Sequence, residues 1–275
     1  MAVDFHSFAR QPDHGIDLLQ GALLIAKDEY PGLDLNAQVR RLEDLAAPLQ
    51  ACRFSSMRVT ERAGMIADYL YRQCGFRGNG GDYHDPRNSF LNDVLDRRLG
   101  IPISLAVVYI EVARRAGATV HGVGFPGHFL VRLDDPGRNE ALLADPYADG
   151  AVLDREALER LLAQATGGPR KLESAMLMPA NPRQMLARML MNLRGIYAAR
   201  GDYPRLLVVL DRLIDLLPEV ASEMRDRGLL WAKLGAPQAA LGDLKRYVET
   251  LPHAGDAAEV RRLIAQLERT SLVLN

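Results

Sequence analysis

The sequence predicts an α+β domain followed by an all-α helical array, and three observations carry that expectation. Apolar residues recur at helical spacing through the first third of the chain and again through its last third. Between residues 119 and 145 the chain instead offers short runs rich in β-branched and aromatic residues, the composition of strands. From Pro182 onward large ring, glycine, leucine and proline recur in the same order at a fixed spacing of 34 residues (231 − 197, for example). The division is expected at residues 1–170 and 171–275.

Taken in order, Ile16, Leu19, Leu23 and Leu24 form the first apolar stripe, Val39, Leu42, Leu45 and Leu49 the second, and Met65, Ile66, Tyr69 and Leu70 the third. Cys74 should be a buried thiol at the end of that third helix, which Gly75 terminates. The stretch F-R-G-N-G-G-D-Y-H-D-P from Phe76 then marks an irregular loop. Its G-N-G-G has no Lys-Ser/Thr after it and follows a helix rather than a strand, so it is not a phosphate cradle.

Phe90, Leu91, Val94 and Leu95 predict a short helix, and Gly100 with Pro102 breaks it. A second helix is expected from about Ser104 to Arg115, stopped by Gly117. The runs T-V-H-G-V-G-F, G-H-F-L-V-R-L and E-A-L-L-A-D then read as strands of an antiparallel sheet, the last ending at Asp145. A helix from about Arg155 to Ala165 follows, and after a Gly-Gly-Pro break everything reads as helix.

In that tail Tyr197 pairs with Trp231, Gly201 with Gly235, Leu210 with Leu244 and Pro218 with Pro252, which is the tetratricopeptide period. Only about two such units fit, and stacked repeats normally need three or more. The segment carrying Val260, Leu263, Ile264 and Leu267 can cap one end. The other end, with Leu186, Met189, Leu190 and Leu193, is expected to dock on the first domain.

Composition narrows the function. Lys plus Arg total 34 against 35 acidic residues, so a net charge of −1 offers no footprint for nucleic acid or an anionic membrane. The N-terminal M-A-V-D-F-H-S-F-A-R cannot be a secretory apolar region, and the apolar stretch from Ile101 to Ile110 falls short of the roughly 20 residues a membrane span needs. Cys52 and Cys74 suit neither a disulfide framework nor a zinc site. His6, His14, His84, His121 and His253 show no ligand spacing, so neither metal nor other cofactor is expected. A reducing cytoplasm fits.

Three residues could carry chemistry: Ser104 at a helix start, His128 at a strand start and Asp145 at a strand end. A hydroxyl at a helix N-terminus gains from the dipole and from free N–H groups that can hold an oxyanion. A histidine could take its proton while an aspartate sets the tautomer. Singly, each also has a structural reading: a capping serine, a hydrogen-bonded histidine and a turn aspartate.

At these residues the chain resembles a known family. N-S-F-L-N-D-V-L-D-R-R-L-G-I-P-I-S-L-A-V-V-Y, then G-V-G-F-P-G-H-F-L-V-R, then D-P-Y, is similar to the SirB-type transglutaminase-like proteins, which carry C-terminal tetratricopeptide repeats; related segments occur in an F-box protein of animals. The resemblance covers nearly the whole chain and implies a papain-like transglutaminase core. It puts Ser104 at the position of the nucleophilic cysteine, His128 at that of the histidine and Asp145 at that of the aspartate.

A serine hydroxyl is a far weaker nucleophile than an imidazole-activated thiol, and serine is usual at this position in that family. Two functions are therefore expected to compete. One is a regulatory or interaction protein that holds a protein or peptide partner on its repeats. The other is a serine-dependent amide or ester hydrolase or acyltransferase. Ser104 is expected to face His128, with His128 in reach of Asp145, and a cysteine placed at 104 is expected to outreact Cys52 and Cys74.

Overall fold

A computed structural model describes residues 4–52 and 54–273. The chain packs as two compact units, one formed by residues 11–189 and the other by the N-terminal helix together with residues 190 onward. The division falls inside a helix, Pro182–Arg200, rather than in a linker.

In chain order the helices are α1 (Phe5–Ala9), α2 (Leu18–Glu29), α3 (Leu35–Gln50) and α4 (Val59–Ala67), the last continued by a π-helical stretch, Asp68–Gln73. Then follow β1 (Arg77–Gly78), α5 (Leu91–Arg97), β2 (Leu99–Gly100), α6 (Pro102–Arg115), β3 (Thr119–Val123), β4 (Leu130–Asp135), β5 (Glu140–Asp145), β6 (Ala151–Leu153), α7 (Arg155–Thr166) and β7 (Pro179–Ala180). Helices α8 (Pro182–Arg200), α9 (Tyr203–Leu216), α10 (Ala221–Lys233), α11 (Pro237–Thr250) and α12 (Ala257–Val273) complete the chain.

Local chemistry sets these boundaries. Asp17, Asp34 and Asp154 each accept a backbone N–H in the first turn of the helix they precede, at 2.7, 3.0 and 2.8 Å. Pro102 occupies the first turn of α6, where its missing N–H costs nothing. The expected helix start at Ser104 thus moves two residues upstream.

The sheet is antiparallel throughout in the order β6-β5-β4-β3-β7, with Val120 opposite Leu133 and Leu133 opposite Leu142. β1 and β2 form a separate parallel pair, Arg77 opposite Leu99. Of the described strands, β1, β2, β6 and β7 have only two or three residues each, too short for a periodicity to announce them.

Helix α6 packs on β3 and β4 and is buried along its length from Pro102 to Ala113, as befits a helix apolar on every side. Its one buried charge, Glu111, pairs with Arg115, and burial raises its carboxyl above the ordinary range. On a second face of the sheet Val123, Phe125 and Leu130 pack with Leu158 and Leu162 of α7.

In the helical unit the repeat is visible in the backbone. Gly201 and Gly235 are both left-handed, at φ +67° and +73°, and α9 and α11 end on Leu217 and Leu251 with nearly the same φ and ψ, −129° and 63° against −125° and 66°. Leu210 and Leu244 are both buried. Val260 and Ile264 of α12 close the cluster around Leu241, Leu244 and Tyr247. The N-terminal helix α1 packs on α9: His6 Nδ1 lies 2.6 Å from Asp215 Oδ1, and the Arg212 guanidinium stands over the Phe5 ring at 5.2 Å.

Candidate functional site

Ser104 lies in the first turn of α6 and is fully buried. Its Oγ accepts the Ile101 N–H at 3.0 Å and donates to the Asn88 carbonyl at 2.6 Å, with the Ile101 carbonyl a longer 3.2 Å away. The hydroxyl therefore closes a capping arrangement on its own helix and fastens a second segment to it. Among the described residues Ser104 makes no hydrogen bond to His128.

The segment it fastens is the glycine-rich loop. Asn88 is wholly buried and serves as its hub: Nδ2 donates to the carbonyls of Asp82 and Tyr83 at 2.7 and 3.3 Å, while Oδ1 accepts from Asn79 Nδ2 at 3.0 Å and Arg97 Nη1 at 3.3 Å. Asp85, also buried, is held by Arg87 and Arg97 at 2.8 and 3.2 Å. Asn88 and Asp85 thus bind the loop to itself and to Arg97 of α5, which makes it a built strap rather than a slack connection.

His128 and Asp145 do come together: His128 Nε2 stands 2.8 Å from Asp145 Oδ1. His128 sits in the turn before β4 rather than on the strand, its N–H donating to the Phe125 carbonyl at 2.9 Å. Asp145 ends β5, and the same Oδ1 accepts the Tyr147 N–H at 2.8 Å, an Asx-type turn. The aspartate thus keeps its turn role and orients the imidazole at once. A carboxylate on Nε2 holds the proton there and leaves the lone pair on Nδ1, which has no hydrogen-bond partner among the described residues.

Tyr147 links the pair to the strap. Its ring meets His128 edge-on at 6.0 Å and Tyr83 edge-on at 6.2 Å. The ring lies so close over Gly78 that a Cβ there would come within 2.5 Å of it, which is why the loop is glycine at this point. Burial, then Tyr83 and Asp145, raise the Tyr147 hydroxyl above its ordinary value.

Cys74 and Cys52 are half-buried rather than buried, and both are free. Burial first and the Cys74 thiol second push the Tyr69 hydroxyl beside it up to about 12. His121 pairs with Asp134 at 3.5 Å, away from His128's partner Asp145. Among the described residues no group of three or more His, Cys, Asp or Glu side chains is placed to hold a metal ion, and no helix is long and apolar enough to cross a membrane.

The parts sequence reasoning missed are Asn88 and Tyr147. The signals were present in the recognised segments themselves, as the N-S-F that opens the first and the D-P-Y that ends on Tyr147. What tied them to the site was a carbonyl and a ring face, neither of which a residue pattern displays.

Compared with known proteins, residues 36–191 match the transglutaminase-like superfamily and residues 193–265 a tetratricopeptide repeat. A UPF0162 protein of Xylella fastidiosa (strain Temecula1) is 39% identical over 266 residues, 96% of this chain and 94% of that one. A UPF0162 protein of Pseudomonas aeruginosa is 34% identical over 229 residues, 83% of each chain. Human F-box only protein 21 is 26% identical over 281 residues, 90% of this chain but 44% of that protein. No solved structure matches.

Proposed function

Because the chain belongs to the transglutaminase-like superfamily and resembles the UPF0162 proteins over nearly its full length, we propose that it is a cytoplasmic regulatory protein of SirB type that binds a protein or peptide partner on its tetratricopeptide repeats. In this reading Ser104, at the nucleophile position, is a fastener rather than a nucleophile. The observation that carries it is the Ser104 hydroxyl itself, fully buried and committed to the Asn88 carbonyl at 2.6 Å. A nucleophile must present its oxygen to substrate and to its base; this one presents it to the backbone.

Stacked helical repeats expose extended surfaces suited to peptide segments, which supports the binding half of the reading. A second reading is supported by the 2.8 Å His128–Asp145 contact: a hydrolase or acyltransferase in which Ser104 attacks, His128 Nδ1 accepts its proton and Asp145 orients the ring.

A serine-directed fluorophosphonate separates the two. Wild type is expected to label poorly, and in Ser104→Cys the new thiol is expected to alkylate more slowly than half-buried Cys52 and Cys74, the reverse of what sequence alone suggests. Rapid stoichiometric labelling of Ser104 that disappears in His128→Ala would establish the enzyme reading instead.

A further inference from the structure

On the sheet face that packs against α7, the chain lines up an arginine and two leucines across three strands. Arg132 of β4 stands opposite Leu143 of β5, and Leu143 opposite Leu153 of β6, in one cross-strand row. Ala141 lies two residues from Leu143 and so shares its face, as the alternation of a strand requires. With Leu142, and with Leu177 at the end of the 3₁₀ turn Ser174–Leu177, these residues line an open cavity of about 410 Å³.

The cavity has the features of a small-molecule site. Its volume falls within the roughly 300–1,000 Å³ that such sites occupy, and its lining is leucine and alanine apart from one charged side chain. The walls are preformed, because Leu143, Leu153 and Leu177 all pack against the cluster around Leu158 and Leu162.

Arg132 supplies the polar end. Its side chain is 35% exposed, and its Nε donates to Asp134 Oδ1 at 2.8 Å. Neither Nη has an acceptor among the described residues, so the fork of the guanidinium is open. Asp134 is not given wholly to Arg132, because His121 Nε2 lies 3.5 Å from its Oδ2. A planar fork beside apolar walls suits a carboxylate joined to an aliphatic chain, since parallel N–H groups can meet both carboxylate oxygens. The Asp134 carboxylate alongside favours a single added negative charge over the nearly doubly charged head of a phosphate monoester.

We propose that this cavity binds an aliphatic monocarboxylate of fatty-acid type, its head on the Arg132 fork and its tail along Leu143, Leu153 and Leu177. The site shares no lining residue with the His128–Asp145 pair and is independent of how Ser104 is read.

The test uses the full chain, titrated by calorimetry with hexanoate, octanoate and decanoate below their micellar concentrations. The dissociation constant is expected to fall about fourfold with each added methylene until the cavity is full, the factor that burying one CH₂ supplies. In parallel the methyl resonances of Leu143, Leu153 and Leu177 are expected to move. Octan-1-ol, which lacks the charge, and octyl phosphate, which carries more of it, should each bind at least about tenfold more weakly than octanoate. Arg132→Gln should erase the preference for octanoate over octanol while leaving octanol binding in place. Ala141→Trp, at an exposed strand position, should fill the cavity and abolish both, and it keeps the test open if losing the Asp134 pair unfolds Arg132→Gln. Octanol or octyl phosphate binding as tightly as octanoate, an octanoate affinity untouched by the substitutions, or unmoved leucine methyls overturns the proposal.

Discussion

Ser104→Ala measures the fastener directly. The substitution removes one oxygen from a fully buried position and strips two main-chain groups of a partner, the Ile101 N–H at 3.0 Å and the Asn88 carbonyl at 2.6 Å. Each buried group left unmet costs about 1–3 kcal/mol, so the pair amounts to about 2–6 kcal/mol. In a domain of this size that is a drop of roughly 4–24 °C in melting temperature. Because the lost bond also ties the 79–88 strap to α6, near-UV signals from Tyr83 and Tyr147 should weaken at temperatures below the transition. The assay is urea unfolding followed by far-UV and near-UV circular dichroism, with the midpoint falling while the slope stays constant. A serine kept for reactivity behaves oppositely, since active-site groups are commonly held at the expense of stability. An unchanged or raised midpoint would therefore refute the fastener argument.

Two further outcomes follow from the packing and the charges. Phe8→Ala should lower stability by about 3–5 kcal/mol, since Phe8 is wholly buried and its ring meets Phe5 at 5.9 Å; a urea midpoint within error of wild type would show that α1 adds nothing to the helical unit. Asp135 is held below its ordinary 3.8, first by its bond from Arg138 and then by Arg62. With its folded value depressed, its contribution is present above pH 3.8 and is lost as pH falls through that lower value. The melting-temperature gap between wild type and Asp135→Asn should accordingly be widest near neutrality and close in acid. A gap independent of pH would assign the effect to packing instead.

The major elements could be read because periodicity reports which face a segment buries. The stripes around Leu19, Leu42 and Ile66 became α2, α3 and α4, and the runs at Thr119, Leu130 and Glu140 became three consecutive antiparallel strands. The 34-residue echo of Gly201 in Gly235 became two left-handed helix ends, because a glycine marks a backbone conformation other residues avoid. The two- and three-residue strands escaped notice because none is long enough to repeat the period that would announce it, and the six-residue π-helical stretch because its Tyr69 and Leu70 continue the stripe of an ordinary helix.

The candidate site divides along the same line. Residue types and order in I-P-I-S-L, P-G-H-F and D-P-Y were enough to nominate Ser104, His128 and Asp145, and the spacing around Asp145 even implied its turn. By itself, then, the sequence determined the α+β-then-helical architecture and the repeat, and it nominated the three candidate residues. Only the tertiary structure decided what they do to one another: that His128 and Asp145 meet at 2.8 Å, and that the Ser104 hydroxyl is spent on the Asn88 carbonyl 16 positions earlier. The physical reason is that a carbonyl oxygen belongs to every residue alike. Nothing in the order of side chains records which one a buried hydroxyl will find once α6 closes against the strap.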